Sequence, residues 1–148
     1  MVLEFTIPGE PNGQGRPRFT TINGHAKAYD PEKSRNYKAF VKILAMEAVK
    51  QCGWKCTELP VSVGITAYMG IPLSKPKKFK ERALSGLERP AKKPDIDNIF
   101  KCVSDAISEI IYKDDKQIVE SHIIKRYAET PCVKISVVEI GRSEDNGR

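Results

Sequence analysis

The sequence predicts an α+β fold, a single compact domain in which helices pack on a small mixed β-sheet. Segments rich in β-branched and aromatic residues stand near both ends and in the middle of the chain, and other segments show the three- and four-residue apolar spacing of helices. The chain has 148 residues, of which 40% are hydrophobic. That is enough for one core and too little for two, so residues 1–148 are expected to form one domain.

The first part of the chain predicts a strand, a loop and a hairpin. Residues 2–8, VLEFTIP, alternate as the residues of a strand do. Residues 9–17 are rich in glycine and proline and are expected to form a loop. The pair Asn23-Gly24 then indicates a hairpin turn between two short extended pieces.

A long helix and a central strand are predicted next. Pro31 opens a segment with apolar residues at three- and four-residue intervals, which ends near Gly53. Residues 60–72 are rich in β-branched and aromatic side chains, which is typical of a strand. The basic stretch that follows predicts one or two helical turns before Gly86.

The last part of the chain predicts one helix and two strands. The helix is expected over residues 96–110, and the strands over residues 117–127 and 133–140. The predicted order is therefore β, hairpin, α, β, basic segment, α, β, β. Residues 142–148 are polar and are expected to form a flexible tail.

Positive charge is concentrated in two places. The formal net charge is +6 and the isoelectric point is about 9.1. Between Lys75 and Lys93 there are eight basic and two acidic residues, and Arg16 and Arg18 form a smaller group. Such clusters are typical of a protein that binds a polyanion, because each neutralised phosphate releases counterions. For the first run taken by itself, a solvated basic surface is the alternative.

The sequence predicts neither export nor a membrane anchor. The N-terminus has no basic segment followed by an apolar run, and no segment has the about 18 apolar residues of a membrane helix. A cytoplasmic location is therefore expected, where cysteines stay reduced. Cys52 and Cys56 have the spacing of half a zinc site, but no second pair completes it, so ordinary thiols are expected.

The stretch KKPDIDNIFK, residues 92–101, places Asp95 and Asp97 at the start of the last predicted helix. The apolar stripe of this helix is expected to comprise Ile96, Ile99, Phe100, Val103, Ala106, Ile107 and Ile110. The opposite, exposed face is expected to carry Asp97, Lys101, Ser104, Asp105 and Ser108. The alternative is that Asp95 or Asp97 is an N-cap and that Asp97 and Lys101 form an ordinary ion pair. A single aspartate would need no further explanation, but only one residue can be the cap. Two close carboxylates are explained if a divalent cation lies between them.

A second acidic pair, Asp114 and Asp115, stands in the stretch YKDDKQIV, residues 112–119. Taken alone, this pair is typical of a polar turn. The helix between the two acidic pairs is expected to be about 20 Å long, so the turn starts near the far end of that helix. The residues by themselves leave open whether the two pairs meet.

The stretch KPDIDNIFKCVSDAI followed by YKDDKQI resembles the signature of the RusA-type Holliday junction resolvases. In that family a D-x-D-N opens a helix, a lysine follows four residues on, and D-D-x-Q stands at the next strand. The matching residues here are Asp95, Asp97, Asn98, Lys101, Asp114, Asp115 and Gln117. The segment GRPRF near the N-terminus, with the extended piece and helix after it, also resembles phage-type members.

The resemblance implies a homodimeric, Mg²⁺-dependent endonuclease, with Mn²⁺ as the alternative metal, that makes paired symmetric nicks across four-way DNA junctions in recombination and repair. It also implies that Asp95, Asp97 and Asp115 are catalytic and hold the metal. The resemblance further implies that Asp114 is their neighbour and a further metal ligand, and that Lys101 is the essential cation.

The chemistry of such a reaction suits these residue types. Mg²⁺ prefers hard oxygen ligands and keeps several waters, so two or three carboxylates suffice to hold it. Lys101 would neutralise a phosphate oxygen or the leaving group. Lys92 and Lys93 flank the carboxylates in the sequence and are expected to bring the phosphate backbone to them. Arg16 and Arg18, in the glycine- and proline-rich loop, are expected to contact phosphate and not base edges.

Two other functions fit the same residues. A nuclease that cuts flaps, forks or other branched DNA would use the same site. A DNA-binding module without catalysis would explain the basic run but would give neither acidic pair a role.

Overall fold

The structure contains nine strands and helices in the part of the chain that it describes. That part is residues 1–15, 18–29 and 31–141, without the side chains of residues 18 and 27–29, in a computed structural model. In chain order the elements are β1 (Val2–Pro8), β2 (Arg18–Ile22), β3 (His25–Tyr29), α1 (Glu32–Cys52), β4 (Val61–Gly70), α2 (Lys77–Ser85), α3 (Ile96–Ile107), β5 (Ile118–Ala128) and β6 (Cys132–Glu139). A single turn of 3-10 helix, Asp115–Gln117, precedes β5. The predicted order is confirmed, and the basic segment forms helix α2.

Four of the strands form one mixed sheet in the order β1-β6-β4-β5. Strand β6 lies between β1 and β4 and runs antiparallel to both, whereas β5 runs parallel to β4. Strands β5 and β6 follow each other in the chain but are not neighbours in the sheet. Strands β2 and β3 pair separately as a hairpin. The predicted α+β class with a small mixed sheet is therefore confirmed.

The core lies on one face of the sheet, under α1 and α3. The residues of β4 alternate between full burial and partial exposure along the whole strand, as a sheet covered on one face requires. The buried residues of β4 are Val61, Val63, Ile65, Ala67 and Met69. Val41 of α1 and Val103 of α3 are fully buried in the same cluster. The sheet and these two helices therefore share one core.

Turn chemistry explains where the hairpin bends and where α1 stops. Asn23 and Gly24 have positive φ angles of 51° and 80°, the backbone that a two-residue hairpin turn needs and that these residue types tolerate. Helix α1 follows Pro31 directly and ends at Gly53, whose φ of 69° and bond from its N–H to the Val49 carbonyl form a left-handed C-cap. Both predicted boundaries are confirmed.

Helix α3 ends at Ile107, earlier than the predicted end at residue 110. Ser108 has an extended backbone and Glu109 a positive φ of 72°, so the chain turns back on the helix. This turn buries Ile111 and Tyr112 completely. Burial of a large side chain contributes about 1.5–3 kcal/mol, which outweighs the few hydrogen bonds of another helical turn.

Two side chains of α3 lie differently from the prediction. Ser104 was expected on the exposed face but is 2% exposed, because Tyr112 folds over it and donates its hydroxyl proton to the Ser104 carbonyl at 2.9 Å. Ile96 was expected in the apolar stripe but is 44% exposed. It is the first residue of the helix, and the buried stripe starts one turn later at Ile99.

The segment after α1 is hydrogen-bonded to the segment after α3. The indole N–H of Trp54 and the backbone N–H of Thr57 both donate to the carbonyl of Ile111, at 2.9 and 3.1 Å. The N–H of Lys113 donates back to the Thr57 carbonyl at 3.2 Å. Because Trp54 and Ile111 are buried, these bonds determine where the acidic turn begins.

The loop before Arg16 packs on the start of α3. The N–H of Gln14 donates to the carbonyl of Asn98 at 2.9 Å, and the N–H of Gly15 donates to the hydroxyl of the buried Ser34 at 2.8 Å. Gly13 lies so close to Pro94 that a Cβ at Gly13 would be 2.8 Å from the Pro94 Cβ. The loop is therefore held against the helix that carries Asp95 and Asp97.

Some predictions fall outside the described residues. Residues 16 and 17, the side chain of Arg18 and the expected flexible tail at 142–148 belong to this group. Among the residues that the structure does describe, no helix has the length and apolar character needed to cross a membrane. The cytoplasmic location stays a prediction.

We expect Gly13→Ala to lower the free energy of unfolding by about 1–3 kcal/mol, because the added methyl group overpacks a close contact with the rigid ring of Pro94. Urea denaturation followed by circular dichroism measures the change. Gly64→Ala is the matched control, since the nearest heavy atom to a Cβ there is 3.8 Å away. An equal loss of stability in both variants would contradict the close packing of the loop.

Candidate active site

Asp95 and Asp97 are exposed at the N-terminus of α3. Asp95 occupies the N-cap position, where its carbonyl accepts a hydrogen bond from the N–H of Ile99 at 3.0 Å. In this helix and its cap, all of which the structure describes, the Asp95 side chain makes no capping hydrogen bond. Helix capping therefore does not occupy the Asp95 carboxylate, and this site offers two exposed carboxylates two positions apart.

Asp95 lines a cleft of about 860 Å³ between the N-terminal loop and the start of α3. Three basic residues line the same cleft, Lys33 from α1 and Lys92 and Lys93 from the segment before α3. The carboxylate of Glu10, also at the cleft, accepts a hydrogen bond from a backbone N–H of β4. The cleft thus brings cations that suit phosphate groups beside a carboxylate that suits a metal ion.

Lys101 stands one turn further along α3, and its partner differs from the expected one. Among the described residues the ion pair of Lys101 is with Asp105, at 3.2 Å to Oδ1, and not with Asp97. The other oxygen of Asp105 lies 3.6 Å from the ammonium of Lys38 in α1. The prediction treated Asp105 as one of several exposed residues. The four-residue spacing from Lys101 was visible in the sequence, but the approach of Lys38 was not.

Asp114 has a structural role in the acidic turn. Its carboxylate accepts a hydrogen bond from the N–H of Lys116 at 3.0 Å, which caps the 3-10 turn. The pKa of Asp114 lies below its ordinary value, chiefly because of this backbone N–H and next because of a hydrogen bond with the Asp115 side chain. Asp114 therefore stays ionised and orients the turn that carries its neighbour.

Gln117 uses its whole amide group to hold that turn. Its oxygen accepts a hydrogen bond from the N–H of Asp114 at 2.8 Å. Its nitrogen donates to the carbonyls of Thr57 and Leu59, each at 2.9 Å. The D-D-x-Q pattern is thus explained in part by geometry, because the glutamine attaches the acidic turn to the segment after α1.

The segment between α3 and the acidic turn packs on α3 at Ser104. Burial raises the pKa of the Tyr112 hydroxyl, and the charges of Asp115 and Asp105 raise it further. The same hydroxyl donates to the carbonyl of Ser104. The charges of Asp105 and Asp115 therefore both influence a group that lies at Ser104. Asp97 is seven residues before Ser104, which corresponds to about 11 Å along the helix axis.

One chain does not bring the four predicted aspartates into a single cluster. Within residues 1–15, 18–29 and 31–141, no three His, Cys, Asp or Glu side chains come together as ligands for a metal ion. Mg²⁺ is commonly held by one or two carboxylates together with waters and substrate phosphates. The exposed pair of Asp95 and Asp97 fits that ion by its donor chemistry, and the assignment of the ligands stays a prediction.

Comparison with known proteins identifies the family. A family model described as endodeoxyribonuclease RusA matches residues 8–138. The chain belongs to the RusA family. The match to RusA includes both acidic pairs, Lys101 and the loop before β2, so the resemblance seen in the sequence motifs is confirmed.

Two relatives match almost the whole chain. The protein named uncharacterized protein YqaN, from Bacillus subtilis strain 168, is 40% identical over 140 residues, which is 93% of this chain and 96% of the relative. The crossover junction endodeoxyribonuclease RusA of Lactococcus phage r1t is 25% identical over 139 residues, which is 93% of this chain and 97% of the relative.

We expect Gln117→Met to lower the free energy of unfolding by about 1–3 kcal/mol, because two carbonyls and one N–H lose their partner while the side-chain volume is kept. Chemical denaturation measures this loss. Gln51→Met is the control, since Gln51 makes an exposed 3.4 Å hydrogen bond to Glu47 and its replacement should cost less than about 0.5 kcal/mol. Similar costs at the two positions would show that Gln117 does not hold the turn.

Proposed function

We propose that this RusA-family protein is a Mg²⁺-dependent endonuclease that resolves four-way DNA junctions by paired symmetric nicks in recombination and repair. The observation that carries the proposal is the family match over residues 8–138, which includes both acidic pairs and Lys101. The relative from Lactococcus phage r1t is named a crossover junction endodeoxyribonuclease, which supports the choice of substrate.

The residues of α3 can supply the chemistry of phosphodiester hydrolysis. Asp95 and Asp97 would hold the divalent cation, together with Asp115 from the acidic turn. When bound, the cation lowers the pKa of water and offsets the charge that develops on the phosphate. Lys101 carries a second positive charge on the same helix and would neutralise a phosphate oxygen or the leaving group.

Basic residues around the cleft provide a path for the DNA backbone. Lys92 and Lys93 line the cleft beside Asp95, and the ammonium of Lys92 lies 5.7 Å from the ring centre of Tyr127 in β5. Arg89 donates to the carbonyl of Lys125 in the same strand at 3.2 Å. The basic segment is thus held against the edge of the sheet, where its charges act together.

The proposed DNA surface also includes Arg16 and Arg18. Arg16 and the side chain of Arg18 lie outside the described residues. The support for their role is that the loop just before them packs on the start of α3, through the bond from Gln14 to Asn98. We assign them to phosphate contacts, which set position on the DNA and not sequence preference.

The proposed active form is a homodimer. A four-way junction has two-fold symmetry, and paired nicks require two active sites related by the same symmetry. One chain carries one copy of each acidic pair. A dimer would also allow the second chain to supply further ligands for each metal ion.

Cleavage of a synthetic four-way junction beside a flap, a fork and linear duplex, with and without Mg²⁺ or Mn²⁺, tests the substrate. We expect paired nicks in the junction only when a divalent cation is present. Equal cleavage of flaps and forks would favour the broader branched-DNA nuclease. Binding of the junction without cleavage under any metal condition would favour the DNA-binding module.

We expect Asp97→Asn to lower the single-turnover cleavage rate by at least about 100-fold, because the metal loses a charged ligand. Binding of the junction should be unchanged or tighter, since a charge that repels DNA is removed. Gel-based cleavage and fluorescence anisotropy measure the two properties. Glu47→Gln is the control, an exposed carboxylate of α1 that does not line the cleft. A variant at residue 97 that cuts at the wild-type rate would refute the assignment.

The dimer is tested by mass and by mixed subunits. Sedimentation at micromolar concentration should give about twice 16.6 kDa. Wild-type protein mixed with Asp97→Asn protein should form heterodimers that nick one strand of the junction. Paired nicks made by a protein that stays monomeric on the junction would exclude a dimeric mechanism.

A further inference from the structure

Asp105 lies between two lysines that come from different helices. Its Oδ1 is 3.2 Å from the ammonium of Lys101 in α3, and its Oδ2 is 3.6 Å from the ammonium of Lys38 in α1. The exposed fraction of the side chain is 14% for Lys38, 31% for Asp105 and 59% for Lys101. The three charges therefore form a row that runs from the helix interface out to solvent.

This row differs from an ordinary surface ion pair. In the pair of Arg82 and Glu88 the side chains are 46% and 36% exposed, so solvent screens their attraction. Lys38 and Asp105 are more enclosed, and both oxygens of the Asp105 carboxylate face a cation. Solvent therefore screens the attraction between Lys38 and Asp105 less. Packing between α1 and α3 also limits the movement of the Asp105 side chain.

Lys101 has two carboxylates within reach on its own helix. Asp97 precedes it by four residues and Asp105 follows it by four, so both are neighbours on the helix surface. In an isolated helix a carboxylate placed four residues before a lysine makes the better pair, which favours Asp97. The structure has the opposite pairing. The carboxylate of Asp105 is already oriented by Lys38, so it loses little further side-chain entropy when it pairs with Lys101, which accounts for the reversal.

We infer that Asp105, oriented by Lys38, is a positioning residue that holds the ammonium of Lys101 away from Asp97 and in one orientation toward the phosphate. This inference rests on the proposed function, in which Asp97 binds metal and Lys101 contacts the phosphate. A lysine that pairs with Asp97 would compete with the metal for that carboxylate. A lysine side chain with no fixed partner would sample many rotamers and contact the phosphate only part of the time.

The variant Asp105→Asn tests the inference, since it keeps the shape of the side chain and removes its charge. We expect the single-turnover rate at saturating Mg²⁺ to fall by about 10- to 100-fold, as displacement of a catalytic group does. Junction binding and the unfolding midpoint should change little. Asp105→Glu should recover part of the rate, and Glu47→Gln should leave it unchanged. A wild-type rate in Asp105→Asn would overturn the inference and leave the proposed nuclease intact.

A double-mutant cycle separates positioning from a purely structural role. In a Lys101→Met background, Asp105→Asn should cause no further loss of rate, because the group that it positions is already absent. Lys38→Met should lower the rate of the wild type but not that of Asp105→Asn. Independent, additive losses would show that Asp105 acts by another route and would overturn the inference.

A measurement without catalysis makes the inference testable even if the protein cuts no junction. Nuclear magnetic relaxation of the Lys101 ammonium should show an ordered group in the wild type and a mobile one in Asp105→Asn. Equal mobility in both proteins would overturn the positioning role. Failure of the wild type to cleave any junction, with the ammonium ordered as expected, would instead refute the proposed function.

Discussion

The buried exit from helix α3 determines where the charged residues of this RusA-family chain lie. Ile111 and Tyr112 are fully buried, and the Ile111 carbonyl accepts hydrogen bonds from Trp54 and Thr57. These contacts end α3 early and turn the chain back along it. The acidic turn therefore starts beside the helix and not beyond its end, and the hydroxyl of Tyr112 meets the carbonyl of Ser104.

The acidic turn combines a rigid frame with a carboxylate that is proposed to bind metal. Asp114 and Gln117 satisfy each other and the backbone around them, and Gln117 attaches the turn to Thr57. Asp114 therefore stabilises the turn, and Asp115 is the residue of the pair that is proposed to bind the metal ion. A carboxylate on such a frame loses little freedom when it binds a cation, which is the advantage of a preorganised site.

Helix α3 carries its charges in a row, with Asp97, Lys101 and Asp105 each four residues apart. In such a row Lys101 can form an ion pair with either carboxylate, and helix geometry alone favours the pair with Asp97. In our inference, the contact of Lys38 in α1 with Asp105 reverses that preference. In the proposed mechanism the result is a carboxylate that remains open to metal and an ammonium that remains open to phosphate.

The sequence by itself determined the elements whose signals are local. Asn23 and Gly24 specify a hairpin turn, and Gly53 specifies the end of α1, because positive φ angles depend on residue type and not on distant contacts. The motif from Asp95 to Gln117 resembles that of the RusA family, and this resemblance also needed no structure. The turn and helix-end signals each act over a few residues, so the sequence displays them completely.

Only the tertiary structure decided the features that depend on distant segments. Strand β6 inserts between β1 and β4, although it follows β5 in the chain. The burial of Ser104 and the early end of α3 depend on Tyr112, and Asp105, the partner of Lys101, also contacts Lys38 from another helix. Periodicity describes which face of a helix is apolar, but the energy of burial and of charge pairing is set by whatever packs against that face.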